Sequence, residues 1–284
     1  MKKLLGVSIL FFAAVFSAKA QTEVLFKMKM LPDRTYASTM KMDMNMEMNY
    51  DGDAATMDKI KASGLKMPMI MQMQSGSTAD IKTGSVKNNY FPFSMSMQQL
   101  ESKMTMNGQP SPMPPASTAV QTMYGKCPVD GLMEIDSIPG TAMNDSLKST
   151  MKKLMKSIQS TVQFPAKPMK VGDTFTQESP FDIPMAGMSA KMTMKATYKL
   201  ISIANGKANF DLNFTMSMDM GLGGKGAMDM KGDGDGKMVY DIATNYPSDS
   251  KQNMNILYSI TIPQQNMTMK GKMKMLMDQQ TVVK

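Results

Sequence analysis

Residues 40–48 read Met40-Lys41-Met42-Asp43-Met44-Asn45-Met46-Glu47-Met48, thioether and polar side chain in unbroken alternation. A β-strand points successive side chains to opposite faces. This spacing therefore places five sulfurs on one face and the polar residues on the other. Tyr36 and Tyr50 share the parity of the methionines and extend the strand to residues 36–50. The same pattern recurs along a chain in which 40 of 284 residues are methionine. It has two chemical readings: a soft-metal site made of thioethers, or a sheet whose apolar face is built from methionine.

Outward from that strand, alternation organises most of the sequence. Residues 24–30 read as a short strand closed by Leu31-Pro32-Asp33, and Asp51-Gly52-Asp53 as a turn. Met67, Met69, Met71 and Met73 share a face, with Pro68 marking an edge or irregular strand. Phe91, Phe93, Met95 and Met97 alternate, and so do Met104 and Met106. The Pro-rich stretch 109–115 cannot sit inside a sheet. Residues 119–124 and 132–138 read as short strands.

Helical spacing appears once. Leu147, Met151, Leu154, Met155, Ile158 and Val162 recur on one face, behind a capping Asn144 or Asp145. Lys148, Lys152, Lys153 and Lys156 fill the other face. This predicts an amphipathic helix over about 145–162, packed on the sheet. Phe164-Pro165-Ala166-Lys167-Pro168 is a stiff connector and a boundary between an N-terminal half (21–163) and a C-terminal half (164–284). In the second half Asn205-Gly206 is a hairpin signal, because both residues tolerate positive φ. Ala208, Phe210, Leu212, Phe214, Met216, Met218 and Met220 then mark one face. Gly232-Asp233-Gly234-Asp235-Gly236 reads as a turn joining residues 228–230 to 237–243; it lacks the further oxygen ligands of a calcium loop. Residues 254–262 and 267–277 close the chain with two more alternating strands.

One polar and one apolar face per strand is the signature of antiparallel sheets with a wet side. The fold class is mainly β: antiparallel meanders forming a curved sheet or half-barrel with one amphipathic helix, the two halves readable as a degenerate repeat.

The first twenty residues carry a charged start (Lys2, Lys3), an apolar core over 4–16 and Ala18-Lys19-Ala20, the pattern of a cleaved secretory signal. Export to a periplasm or beyond is expected. No later apolar run is long enough for a membrane anchor, and no cysteine follows the cleavage site to take a lipid. Without Lys2, Lys3 and Lys19 the formal charge of +8 falls to +5 (8 − 3). The remaining lysines are spread out, and the chain shows neither a basic stripe nor a nucleic-acid-binding module.

Histidine is absent and Cys127 is the lone cysteine. An internal disulfide, His-ligated zinc or haem, and triads with a His base are therefore excluded. The bias is toward binding or structure rather than catalysis. Scattered acids form no readable general acid/base pair, and no phosphate-binding glycine loop is present.

Phe-Pro-Ala-Lys-Pro-Met-Lys-Val-Gly-Asp-Thr at 164–174, then Thr197-Tyr198-Lys199-Leu200, a hairpin, and Lys207-Ala208-Asn209-Phe210-Asp211, resemble a family of uncharacterised exported proteins common in Bacteroidetes. The resemblance implies export and a β fold and brings no activity with it. Asp136-Ser137-Ile138 and Asp145-Ser146-Leu147 are similar to that phylum's short O-glycosylation sites.

Two functions follow from the methionine face. Flexible thioethers repack around varied shapes and suit an apolar small molecule or lipid. Tyr36, Met40, Met42, Met44, Met46, Met48, Tyr50, Phe210 and Phe214 are the expected lining, with Phe91 and Phe93 beside them. Alternatively, Cu(I) or Ag(I) takes soft thioether donors, with Met42, Met44, Met46, Met216, Met218, Met220, Met273, Met275 and Met277 as candidate ligands. A third reading is purely structural: an envelope protein that uses methionine where valine or isoleucine normally stands.

Overall fold

The computed structural model describes residues 23–62, 64–111, 120–131, 133–139, 163–185, 188–221 and 226–284. The expected signal peptide and the helix at 145–162 lie outside these residues. The strands are β1 (Thr35–Gly52), β2 (Met69–Thr83), β3 (Tyr90–Met106), β4 (Gln109–Pro110), β5 (Gln121–Pro128) and β6 (Glu134–Ser137). After the connector come β7 (Thr174–Met185), β8 (Met188–Ala204), β9 (Lys207–Gly221), β10 (Ala227–Asp241), β11 (Tyr246–Ile262) and β12 (Met267–Val283). Among the described residues one α-helix, α1 (Ala54–Ala62), follows β1.

The twelve described strands join one sheet in the order β6-β5-β3-β2-β1-β12-β11-β10-β9-β8-β7, with β4 paired to β3, so Gln109 and Pro110 of the Pro-rich stretch do reach the sheet. Every pairing is antiparallel. The sheet is open, its two ends being β6 and β7. Segments from both sides of the 164–168 connector meet at its centre, where β1 pairs with β12 from Tyr36↔Val283 to Gly52↔Met267.

The sheet curves toward its apolar face, and a short segment shows by how much. Val24 bridges Met169, whose following residues bond to β8 through Gly172 N–H to the Leu200 carbonyl. Five residues later the Lys29 ammonium pairs with Asp130, just beyond β5, at 2.7 Å. Eight strand spacings separate β5 from β8, about 38 Å in a flat sheet. Five residues of extended chain reach about 17 Å. The two sides are thus drawn together at this end. Phe26 packs on Phe210 of β9 and Tyr240 of β10 (5.2 Å to each ring), and Met30 packs against the Tyr36–Phe91 cluster, so the apolar face is concave.

Several local signals were overridden. Residues 24–30 form a crossing segment with a single bridge rather than a strand. Asp53 starts α1 instead of a simple turn: its carboxylate accepts the Thr56 N–H at 2.8 Å, and that bond holds its pKa below the usual carboxylate range. Pro68, preceded by a cis peptide, sits before β2, leaving that strand free to pair on both sides, with β1 and β3. The two alternating stretches at 91–97 and 104–106 are one strand, β3, with an irregularity where Ser75 and Ser77 of β2 face Ser102 and Gln99. Asn205 and Gly206 do have positive φ (52° and 72°) between β8 and β9.

The largest departure is the glycine run. Residues 232–236 are the middle of β10, fully paired with β9 and β11. A Cβ at Gly234 would run into the Asn253 carbonyl oxygen of β11, and one at Gly236 would lie 2.6 Å from the Lys251 carbonyl oxygen. These glycines admit close backbone approach within the sheet rather than a reversal of the chain.

Candidate functional site: a methionine-lined concave face

The concave face changes character along β1, β9 and β10, whereas on β11 Met254, Ile256 and Tyr258 are buried beside the methionine rows. On β9, Ala208, Phe210, Leu212 and Phe214 are buried, whereas Met216, Met218 and Met220 on the same face are half-buried. On β10, Met238 and Tyr240 are buried and Met228 and Met230 half-buried. On β1, Tyr36 is fully buried, Met40 is 37 % exposed, and Met42 to Met48 at even positions are half-buried. Most of the buried aromatic residues lie at the end that the crossing segment closes. Most of the half-buried methionines lie at the other end, together with Tyr50 and the buried Tyr258.

At the closed end, Phe26, Phe164, Phe210 and Tyr240 form an aromatic cluster with ring centroids 5.2–5.7 Å apart. The Tyr240 hydroxyl donates to the Lys27 carbonyl. A second cluster holds Tyr36, Ile81, Phe91, Phe93 and Cys127. The Tyr36 hydroxyl accepts the Leu31 N–H at 2.7 Å. Of the expected ligand-lining residues, Tyr36, Phe210 and Phe214 are therefore packed into the closed end, as are Phe91 and Phe93. Met40, Met42, Met44, Met46, Met48 and Tyr50 remain on the partly open face.

Pairing places the methionines in rows. Met104, Met73, Met44, Met275 and Met254 face one another across β3, β2, β1, β12 and β11. Met106, Met71, Met46 and Met273 form the adjacent row. Met42 lies beside Met277. Met216, Met218 and Met220 are three strands away from β12, and Met218 is flanked by Met192 and Met230. Two of the three expected clusters thus merge, and the third stands apart. Met71, Met73, Met104 and Met254 were not among the candidate ligands, although their alternation was visible; strand adjacency has no local sequence signal.

Beside the rows a groove of about 390 Å³ opens between Met40, Met42 and Met97 and the polar side chains of Ser75, Ser77 and Gln121. Tyr258, 6 % exposed, lies over Gly271, where a Cβ would collide with its hydroxyl. That hydroxyl has no hydrogen-bond partner among the described residues. The opposite face carries the charges, among them the Lys272–Glu47 and Lys251–Asp278 pairs at 2.9 and 3.4 Å. Among the described residues, no group of three or more Cys, Asp and Glu could hold a metal ion. No described helix is long and apolar enough to cross a membrane.

Burial pushes the Cys127 thiol up to about 11, and Tyr198 and Tyr240 up to about 12. An acid raised in the folded state contributes stability below its unfolded value and loses it as pH climbs to the folded one. The denaturation midpoint should therefore stay level with respect to these groups up to about pH 9 and fall above it. A thiol reagent at pH 8 should label Cys127 only after unfolding; rapid labelling of the native protein would contradict its burial.

The fold and face define an open antiparallel sheet with an apolar, methionine-lined concavity. No family model matches the chain, and no curated protein matches it. Among solved structures it is similar to an outer-membrane channel of Pseudomonas putida F1, at 4 % identity and a TM-score of 0.27, covering 90 % of this chain and 98 % of that one. It is similar also to OccK5 of Pseudomonas aeruginosa, at 6 % identity and a TM-score of 0.27, covering 87 % and 98 %. Superpositions this loose carry no argument about function.

Proposed function

We propose that the chain is an exported, non-enzymatic binding protein that holds an apolar or lipid-like ligand on the methionine-lined part of its concave face. The supporting observation is the change along β1 and β9 from buried aromatic to half-buried methionine on one continuous face. A sheet that needed only a filled core has no reason to switch residue type at the point where filling stops. Methionine offers apolar area that adapts to shape, without the fixed geometry of branched side chains. The unpartnered Tyr258 hydroxyl, deep in this face, would satisfy an oxygen of an amphiphile.

Native mass spectrometry of the protein isolated from its own envelope, without refolding, should show a bound organic mass. A fluorescent apolar probe should bind the mature protein. Met44→Asp with Met46→Asp should abolish that binding, because a carboxylate on the face must lose its water to meet the probe. Met42→Leu, Met44→Leu and Met46→Leu together should leave it intact. A bare protein that binds no probe would sink the carrier reading and favour methionine as packing alone.

A further inference from the structure

The row through β1 has a second chemical capability, independent of the carrier reading. We propose that Met73, Met44 and Met275 form a thioether site for Cu(I) or Ag(I). Met44 sits on β1 with Met73 directly opposite on β2 and Met275 directly opposite on β12. Directly opposed residues in antiparallel strands have Cβ atoms about 4.5–5.5 Å apart. The three rotatable bonds of each methionine then allow three sulfurs to converge above the central strand.

Register narrows the choice to the rows through Met44, Met46 and Met218, each with a methionine directly opposite on both neighbouring strands, and Met44 stands in the longest row. Met42 is flanked by Ser75 and Met277, and Met48 by Met69 and Gly271, so neither has a sulfur on both sides. Met46 is flanked by Met71 and Met273 and forms a parallel, shorter row. The Met44 row continues to Met104 on β3 and Met254 on β11, which places a further sulfur beyond each end of the trio.

The surroundings fit a soft monovalent cation. Met44, Met73 and Met275 are half-buried, which leaves an entry path while excluding much of the water. The charged neighbours Asp43 and Lys274 have the opposite parity and stand on the other face, so no like charge opposes the metal within the row. Thioethers are neutral, soft donors with no proton to lose, a set that favours Cu(I) and Ag(I) over Zn(II) or Mg(II). With no histidine in the chain, bound copper should see sulfur alone.

The test is an anaerobic Cu(I) titration of the mature protein against a Cu(I) chelator, with X-ray absorption at the copper edge. One tight equivalent with sulfur-only scattering is expected. Met44→Leu, Met73→Leu and Met275→Leu together should lose that equivalent. Met40→Leu with Met97→Leu should keep it, because neither residue has a methionine directly opposite. Absence of binding by the unaltered protein, nitrogen or oxygen scatterers, or retention of the equivalent in the triple variant would each overturn the site. The absorption spectrum needs no variant, so misfolding cannot hide the answer. Loss of copper with apolar-probe binding preserved would separate this site from the carrier function.

Discussion

Replacing Phe26 with alanine should lower stability by about 4 kcal/mol, a large loss for one side chain. Phe26 is 2 % exposed and its ring lies 5.2–5.3 Å from those of Phe164, Phe210 and Tyr240. Truncation removes these contacts and leaves a cavity ringed by aromatic groups that cannot readily collapse. The effect should extend beyond the cavity, because Phe26 anchors the segment that draws the β5 and β8 sides of the sheet together. Hydrogen exchange at the Val24 and Met169 amides, which bond each other's carbonyls at 2.9 Å, should accelerate. Met44→Ala, on the half-buried part of the same face, should cost far less in urea unfolding. Equal losses at the two positions would mean that the methionine end is as tightly filled as the aromatic end.

Gly234→Val should cost about 3 kcal/mol and could prevent the last strands from pairing. The obstruction is the Asn253 carbonyl oxygen of β11, a backbone atom that cannot rotate aside as a side chain does. Val has high strand propensity, so a gain would be expected from local preference alone. Loss of stability despite that preference would isolate the steric term. Gly221→Ala at the end of β9, where a Cβ meets nothing within 4 Å, is the matching control and should be close to neutral. If Gly234→Val melted at the native temperature, β10 and β11 would not approach as closely as the structure shows.

The two substitutions mark where sequence reasoning held and where it stopped. Period-two alternation assigned the faces of β1, β9, β11 and β12, because side-chain direction in a strand depends only on parity. Asn205-Gly206 located a hairpin, since its positive φ values are a local property of those residue types. At residues 232–236 the same style of reasoning failed. Alternating glycine and aspartate carry turn chemistry, but here the glycines are required by a strand lying close beside them, and that strand is not encoded locally. The lining of the site divided in the same way: parity put Tyr36, Phe210 and Phe214 with the methionines, but burial depends on what crosses over them.

By itself the sequence determined that the chain is an antiparallel β protein, that one face of its strands is rich in methionine, and that histidine-dependent chemistry is absent. The tertiary structure alone decided which methionines meet. Met44 and Met275 are remote in the chain and become neighbours when β1 pairs with β12. Parity is a property of each strand, whereas pairing is chosen by burial and chain closure across the whole sheet. The methionine face was therefore legible residue by residue, but its rows, its closed end and its open end were not.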